Sequence, residues 1–425
     1  MTGVSLYDRM RTPGGWGWRA AFALAGGLAF VLVAGIVYTI GVGIGVWGTN
    51  IPAAWAFAIV NFVFWIGIGH AGTFISAILF LTKTPWRTPL SRIAETMTLF
   101  AVANAAIFPI LHLGRPWFAY WLMPYPQNLG VWPQVKSALP WDAAAIATYG
   151  LVSLLFWFVG LVPDLAALRD RATTRRKQIF FGLLALGWRG TSRAWRWHKA
   201  VYVVLAAIAT PLVITVHSIV AMDFATALAP GWHSTLLPFL YVVGAVFSGF
   251  AMVIVLVILI RKVFGLRDVL TNEHLAGCAK LLLASGMVLA FSYILESFSE
   301  WYAGEPASRH VLLSTASPVI TLIAVASNVV LPQLLWFRRV RHSPRILFAL
   351  SLVILVGMWC ERFALIIAPL LRDHLPAAWG DYSPSAIDIG ILAGTVGLFA
   401  LLFLVFLRCL PFLPVSEMRA KEAKQ

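Results

Sequence analysis

Ten stretches of about twenty apolar residues, separated by short polar segments, commit this chain to a lipid bilayer. They cover roughly 20–41, 54–81, 93–113, 141–161, 200–222, 235–261, 276–302, 312–337, 345–371 and 386–409. A helix rises about 1.5 Å per residue, so about twenty residues cross the ~30 Å hydrocarbon core. No water there can satisfy the backbone, and an α-helix satisfies it within its own segment. The pattern therefore predicts an all-α polytopic membrane protein with ten transmembrane helices. Composition excludes the soluble alternatives. Charged residues are 12% of the 425, about half the share of a soluble domain. That rules out a soluble enzyme, a disordered chain and a nucleic-acid-binding module, and three cysteines are too few for a disulfide scaffold. The first stretch is too long for a cleaved signal peptide, and no small-residue cleavage site precedes the second.

The net charge of +15 follows from how the basic residues are distributed. With the N-terminus inside, 27 of the 32 Lys and Arg residues fall on the inner side of the spans. Only Arg115, Lys136, Arg309 and Arg372 fall outside, and Arg362 lies within a span. Basic residues accumulate in cytoplasmic loops, so both termini are expected in the cytoplasm, and no nucleic-acid partner is needed to explain the charge. The longest inner segment, 162–199, contains an expected interfacial helix over Ile179–Leu186 with Trp188, Trp195 and Trp197. Such a helix rests on headgroups, and an anionic-lipid site is its alternative role. Trp47, Trp117, Trp121, Trp132 and Trp141 flank the outer span ends, as an aromatic belt does.

Ionisable groups at membrane depth are costly and usually mark an ion, proton or substrate path. His112 ends the third span, Asp142 starts the fourth and Asp223 ends the fifth, so three helices bring a His and two carboxylates to one outer level. Quinol oxidation needs such groups, because two protons leave with two electrons and a nearby base must take each. Structural alternatives exist for each residue. Asp142 has the sequence position of a helix cap, Asp223 that of a solvated loop carboxylate, and His112 that of an interfacial His bonded to its loop. Deeper in the membrane, His217, His70, Asn104 and Glu95 could form a chain of protonatable or hydrogen-bonding groups towards the cytoplasm. A mid-membrane His is also a common helix–helix hydrogen bond. In the second half, Glu296 and Glu300 share a face of the seventh span. Adjacent Glu361 and Arg362 point about 100° apart, so each needs a partner on another helix, either as a structural ion pair or as a second proton path.

Bound redox groups fit the sequence poorly. A b-haem held by two histidines needs a pair at matched depth on facing helices, and His112 with His217 is the only plausible pair. Cys278, Cys360 and Cys409 lie on separate spans without C-x-x-C spacing and read as small buried hydrophobes. No Walker A loop is present. The chain is expected to carry no haem, iron–sulfur cluster or metal, so electrons taken from quinol must pass to a partner.

Several motifs carry a family resemblance. Phe64-Trp-Ile-Gly-Ile-Gly-His70-Ala-Gly-Thr73, Lys83-Thr-Pro-Trp-Arg-Thr88 and Arg92-Ile-Ala-Glu-Thr-Met97 stand in the first half. Phe108-Pro-Ile-Leu-His112-Leu-Gly-Arg-Pro-Trp117, Trp141-Asp142 and His217-Ser-Ile-Val-Ala-Met-Asp223 follow, then Gly357-Met-Trp-Cys-Glu-Arg362. Together they resemble the NrfD/PsrC-type membrane subunits, and more closely the ActC and ActF subunits of bacterial alternative complex III. The resemblance implies two four-helix bundles, spans two to five and six to nine, with spans one and ten flanking them. The divisions would be 1–53, 54–234, 235–371 and 372–425.

It further implies a pocket for menaquinol or ubiquinol on the periplasmic side of the first bundle, lined by His112, Asp142 and Asp223. Electrons would pass to an iron–sulfur ActB-like subunit, beside a sister NrfD-like subunit and c-type cytochrome subunits in the bacterial inner membrane. Each bundle would carry a proton half-channel, with His70, Glu95 and His217 in the first. The leading expectation is thus a quinol-oxidising, ActC-like subunit. One rival is an ActF-like structural or proton-conducting subunit without its own quinol site. The other is a secondary transporter, which the one-sided polar cluster disfavours because transporter sites lie near the midplane.

Overall fold

The computed structural model describes residues 6–10, 15–54, 57–122, 138–313 and 318–422. Trp132, Lys136 and Lys424 lie outside the described residues, as does the side chain of Trp121. No strand occurs among the described residues, and ten helices are long and apolar enough to cross a membrane. We label them α1 (Trp16–Val42), α2 (Phe57–Leu81), α3 (Thr88–His112), α4 (Ala138–Arg171) and α5 (Ser192–Ala225). The second half contains α6 (Leu237–Val263), α7 (Asn272–Ala303), α8 (Pro318–Trp336), α9 (Pro344–Leu370) and α10 (Ala386–Cys409).

Packing arranges these helices as two groups of four. α2, α3, α4 and α5 follow one another around a ring that closes where α5 meets α2, and α6 to α9 form a second ring closed by α9 on α6. The rings meet where α6 lies against α2 and α5, and α9 against α2. Burial follows from this: 83% of the most apolar stretch of α2 is enclosed by protein, against 11% for α1. α1 and α10 pair with each other on the outside, and α10 rests on α3. Without a hydrophobic driving force between helices in lipid, close approach depends on small residues. A Cβ on Gly249 of α6 would overlap the Cβ of Ala71 on α2, and one on Gly72 would overlap the Ala94 carbonyl on α3. Gly249→Leu is therefore expected to separate the two rings. Size-exclusion of the detergent-solubilised variant should show loss of the monodisperse species, and a native profile would refute this role for the contact.

The helix ends differ from the sequence expectation in two places. α4 continues to Arg171, ten residues beyond the expected end of the fourth span, because Leu161, Leu165 and Ala166 are buried and Asp164 has internal partners. The helix expected over Ile179–Leu186 spans Arg175–Leu184, and none of its residues is buried. Leu186 takes φ 49°, which ends it. Trp195 and Trp197 instead belong to α5, whose first turn is capped when the Ala194 amide donates to the Thr191 hydroxyl.

The N-terminal segment is tied to the loop after α6. Arg9 donates to both carboxylate oxygens of Asp268 at 2.7 and 2.6 Å. This contact holds the Asp268 carboxyl down at about 2. The folded value lies below that of an unpaired Asp, so the tether is complete above pH ~4 and is lost as pH falls towards 2. Both partners are partly exposed, so the tether contributes little to stability.

Candidate functional site

A pocket of about 120 Å³ opens between α2, α3, α4 and α5, at the end of the ring away from the basic loops. That is near the ~150 Å³ of a cavity known to take one benzene ring. Phe62, Phe108 and Ile146 supply apolar walls, while His112, Asp142 and Asp223 supply its ionisable groups. Each is held by its helix. His112 is the last residue of α3, and its ring stacks on Trp47 with centroids 6.3 Å apart. Trp47 is itself pinned by its indole N–H donating to Thr39 at 3.1 Å. Asp142 sits inside α4, which starts at Ala138, so it is not the helix cap. Asp223 is half-buried in the last turn of α5 and not in a loop.

Both carboxyl groups line the pocket, one from α4 and one from α5. Oδ1 of each is buried without a hydrogen-bond partner. The pocket therefore presents an imidazole and two carboxyl groups, each with an unused oxygen, to an apolar space the size of one ring.

A column of polar side chains lies deeper. His217 and His70 are fully buried, with ring centroids 4.8 Å apart and planes at 72°. Neither ring has a side-chain hydrogen-bond partner among the described residues. Tyr149 stacks on His70 at 4.9 Å, exchanges a hydrogen bond with Thr73 at 2.8 Å and donates to the Gly69 carbonyl. Thr98 donates to that same carbonyl at 2.6 Å. One turn further along α3, Glu95 accepts from Tyr202 at 2.7 Å. Asn104 is buried, but its amide donates only to Phe100 on its own helix, so it stands apart from these contacts.

The basic end is closed by an ionic knot. Arg92 reaches Asp164 at 3.1 Å and the Gly160 carbonyl at 2.6 Å, with both charged groups almost wholly buried. Asp164 also accepts from the Tyr7 hydroxyl and the Ser416 amide, each at 2.8 Å. Arg87 reaches Glu417 at 3.2 Å.

The second ring has its own charged centre. Glu361 and Arg362, adjacent on α9, approach to 3.3 Å, and each also has a partner on another helix. Tyr293 of α7 donates to Glu361 at 3.1 Å. Arg362 lies over the Tyr241 ring of α6 at 4.3 Å, and Tyr241 is 5.7 Å from His217. Tyr241 thus stands between the charged centre of one ring and the paired histidines of the other. Glu296, one turn beyond Tyr293, accepts from Ser234 at 2.9 Å. Glu300 lies a further turn away, half-buried.

Tyrosines escaped the sequence reading. Tyr149, Tyr202 and Tyr241 sit in apolar runs and read as core aromatics. A buried phenol normally has a hydrogen-bond partner, and that was the available signal. Arg92 appeared only as a motif member, with no sign of Asp164 as its partner, because their pairing spans two helices. No group of three or more His, Cys, Asp or Glu among the described residues is placed to hold a metal. Cys278 and Cys360 are buried, whereas Cys409 is exposed.

Residues 45–372 match the family described as "Polysulphide reductase, NrfD". A selenate reductase subunit from Mesobacillus selenatarsenatis is 21% identical over 382 residues, covering 84% of this chain and 86% of that protein. A protein of Halobacterium salinarum, provisionally named as a dimethyl sulfoxide reductase membrane subunit, is 23% identical over 432 residues, covering 93% of this chain and 91% of its own length.

Proposed function

The chain belongs to the NrfD family of polysulphide reductase membrane subunits, and from that premise we propose that it oxidises quinol in the pocket between α2, α3, α4 and α5. It is a multi-pass membrane subunit of an oxidoreductase complex. The observation that carries the quinol reading is the convergence of His112, Asp142 and Asp223 on one apolar pocket. A bound quinol supplies two electrons and two protons. His112 takes one proton at an imidazole nitrogen. Asp142 or Asp223 takes the other at a carboxylate oxygen. Phe62, Phe108 and Ile146 hold the ring and keep bulk water from the reacting hydroxyls. The electrons leave to an iron–sulfur partner subunit.

By the basic-residue rule the pocket faces the periplasm and both termini face the cytoplasm of a bacterial inner membrane. The motifs favour an ActC-like place in an alternative-complex-III-type assembly, with an ActB-like subunit, a sister NrfD-like subunit and c-type cytochromes. The names of the two relatives favour a terminal reductase. The quinol half-reaction is the same in both. His217, His70 and Glu95 would carry protons through the first ring, with Asn104 at its side. Glu361, Arg362, Glu296 and Glu300 would serve the second.

A photoreactive quinone added to the intact complex tests the site. The expected adducts fall on the ends of α3, α4 and α5 around His112, Asp142 and Asp223, and quinol competes them away. Adducts confined to a sister subunit would move this chain to the ActF-like role.

A further inference from the structure

We propose that the cleft between α1 and α10 at the basic end is a binding site for the phosphate headgroup of an anionic phospholipid. Halfway along their length these helices touch backbone to backbone, since a Cβ on Gly397 would overlap Leu28. Ten residues back along α1 and eleven forward along α10, about 15 Å away by helix rise, a cleft of about 410 Å³ opens. Trp18, Arg19 and Phe22 line it from α1; Val405, Arg408 and Cys409 line it from α10.

Two kinds of side-chain donor line this space. Arg19 and Arg408 have no acidic partner among the described residues, and no Asp or Glu occurs in residues 15–30 or 389–413. The indole N–H of Trp18 is buried at its nitrogen without a partner. A guanidinium pair suits a phosphodiester, which it can bind with paired N–H donors. Phe22 is 40% and Val405 41% exposed on the lipid side, where acyl chains would lie against them. Basic pockets between helices at a cytoplasmic face recognise such headgroups. A free phosphate ion shares the headgroup chemistry but gains nothing from that apolar wall, so we assign the lipid.

The test is native mass spectrometry of the purified full chain in detergent, titrated with cardiolipin or with phosphatidylcholine of the same acyl chains. Wild type should retain cardiolipin in preference to phosphatidylcholine, and inorganic phosphate at millimolar concentration should not displace it. Arg19→Gln with Arg408→Gln should weaken cardiolipin retention roughly thirtyfold, at about one order of magnitude or less per basic residue. Arg19→Lys with Arg408→Lys should restore most of it, which separates lost charge from lost folding. Equal retention of both lipids by wild type, or unchanged retention by the Gln variant, would overturn the assignment. Displacement by phosphate would overturn the lipid as its source.

Discussion

His112→Ala in the intact complex should lower quinol turnover by about two to four orders of magnitude, the usual contribution of a positioned general base, while the complex still assembles. His112 is the last residue of α3 and stacks on Trp47, so its loss removes a base at a helix end and leaves the helix interior intact. Asp142→Asn should cost a comparable factor. An amide at that position cannot take up a proton, so only one carboxyl group of the pocket remains to do so. The two substitutions remove the two proton acceptors of one reaction, so their combined effect should fall short of the product. The readout is quinol-dependent reduction of the partner's iron–sulfur cluster, with the makeup of the complex checked on the same sample. Full turnover by an assembled His112→Ala complex would mean that the chemistry takes place in another chain.

Arg92→Leu should be the most destabilising single change outside the helix contacts. It leaves Asp164 in a protein interior where it is 1% exposed, and breaking such a pair from one side costs about 3–5 kcal/mol. Tyr7 and the Ser416 amide still bond Asp164, but neither carries a positive charge. The double variant Arg92→Leu with Asp164→Leu should recover much of the loss, because no unpaired charge then remains. Thermal unfolding followed by fluorescence-detected size exclusion distinguishes the two. Equal melting of Arg92→Leu and wild type would show that the pair does not hold the basic end together.

Apolar length located all ten spans, because the bilayer allows one kind of segment. Depth along each helix placed His112, Asp142 and Asp223 at one level, but not in one pocket. Whether Asp142 and Asp223 share a pocket depends on which faces of α4 and α5 turn inwards, and an all-apolar helix hides its inward face. The same limit concealed Tyr241 beneath Arg362. Helix geometry said that Arg362 needed a partner on another helix but could not say which aromatic would supply it. The end of α4 was misplaced for a related reason. Asp164, Arg169 and Arg171 look like loop residues until Arg92, on a distant helix, provides the partner that lets Asp164 stay inside.

That partner set has a consequence for biogenesis. Asp164 is held by Tyr7, Arg92 and Ser416, and Tyr7 and Ser416 are themselves 409 positions apart in sequence. The knot cannot close while the ribosome still holds the tail, so the first ring waits, with its basic end untied, until the last helix is inserted. A product cut short before Ser416 would leave Asp164 without one of its hydrogen-bond donors even if all ten helices had entered the membrane.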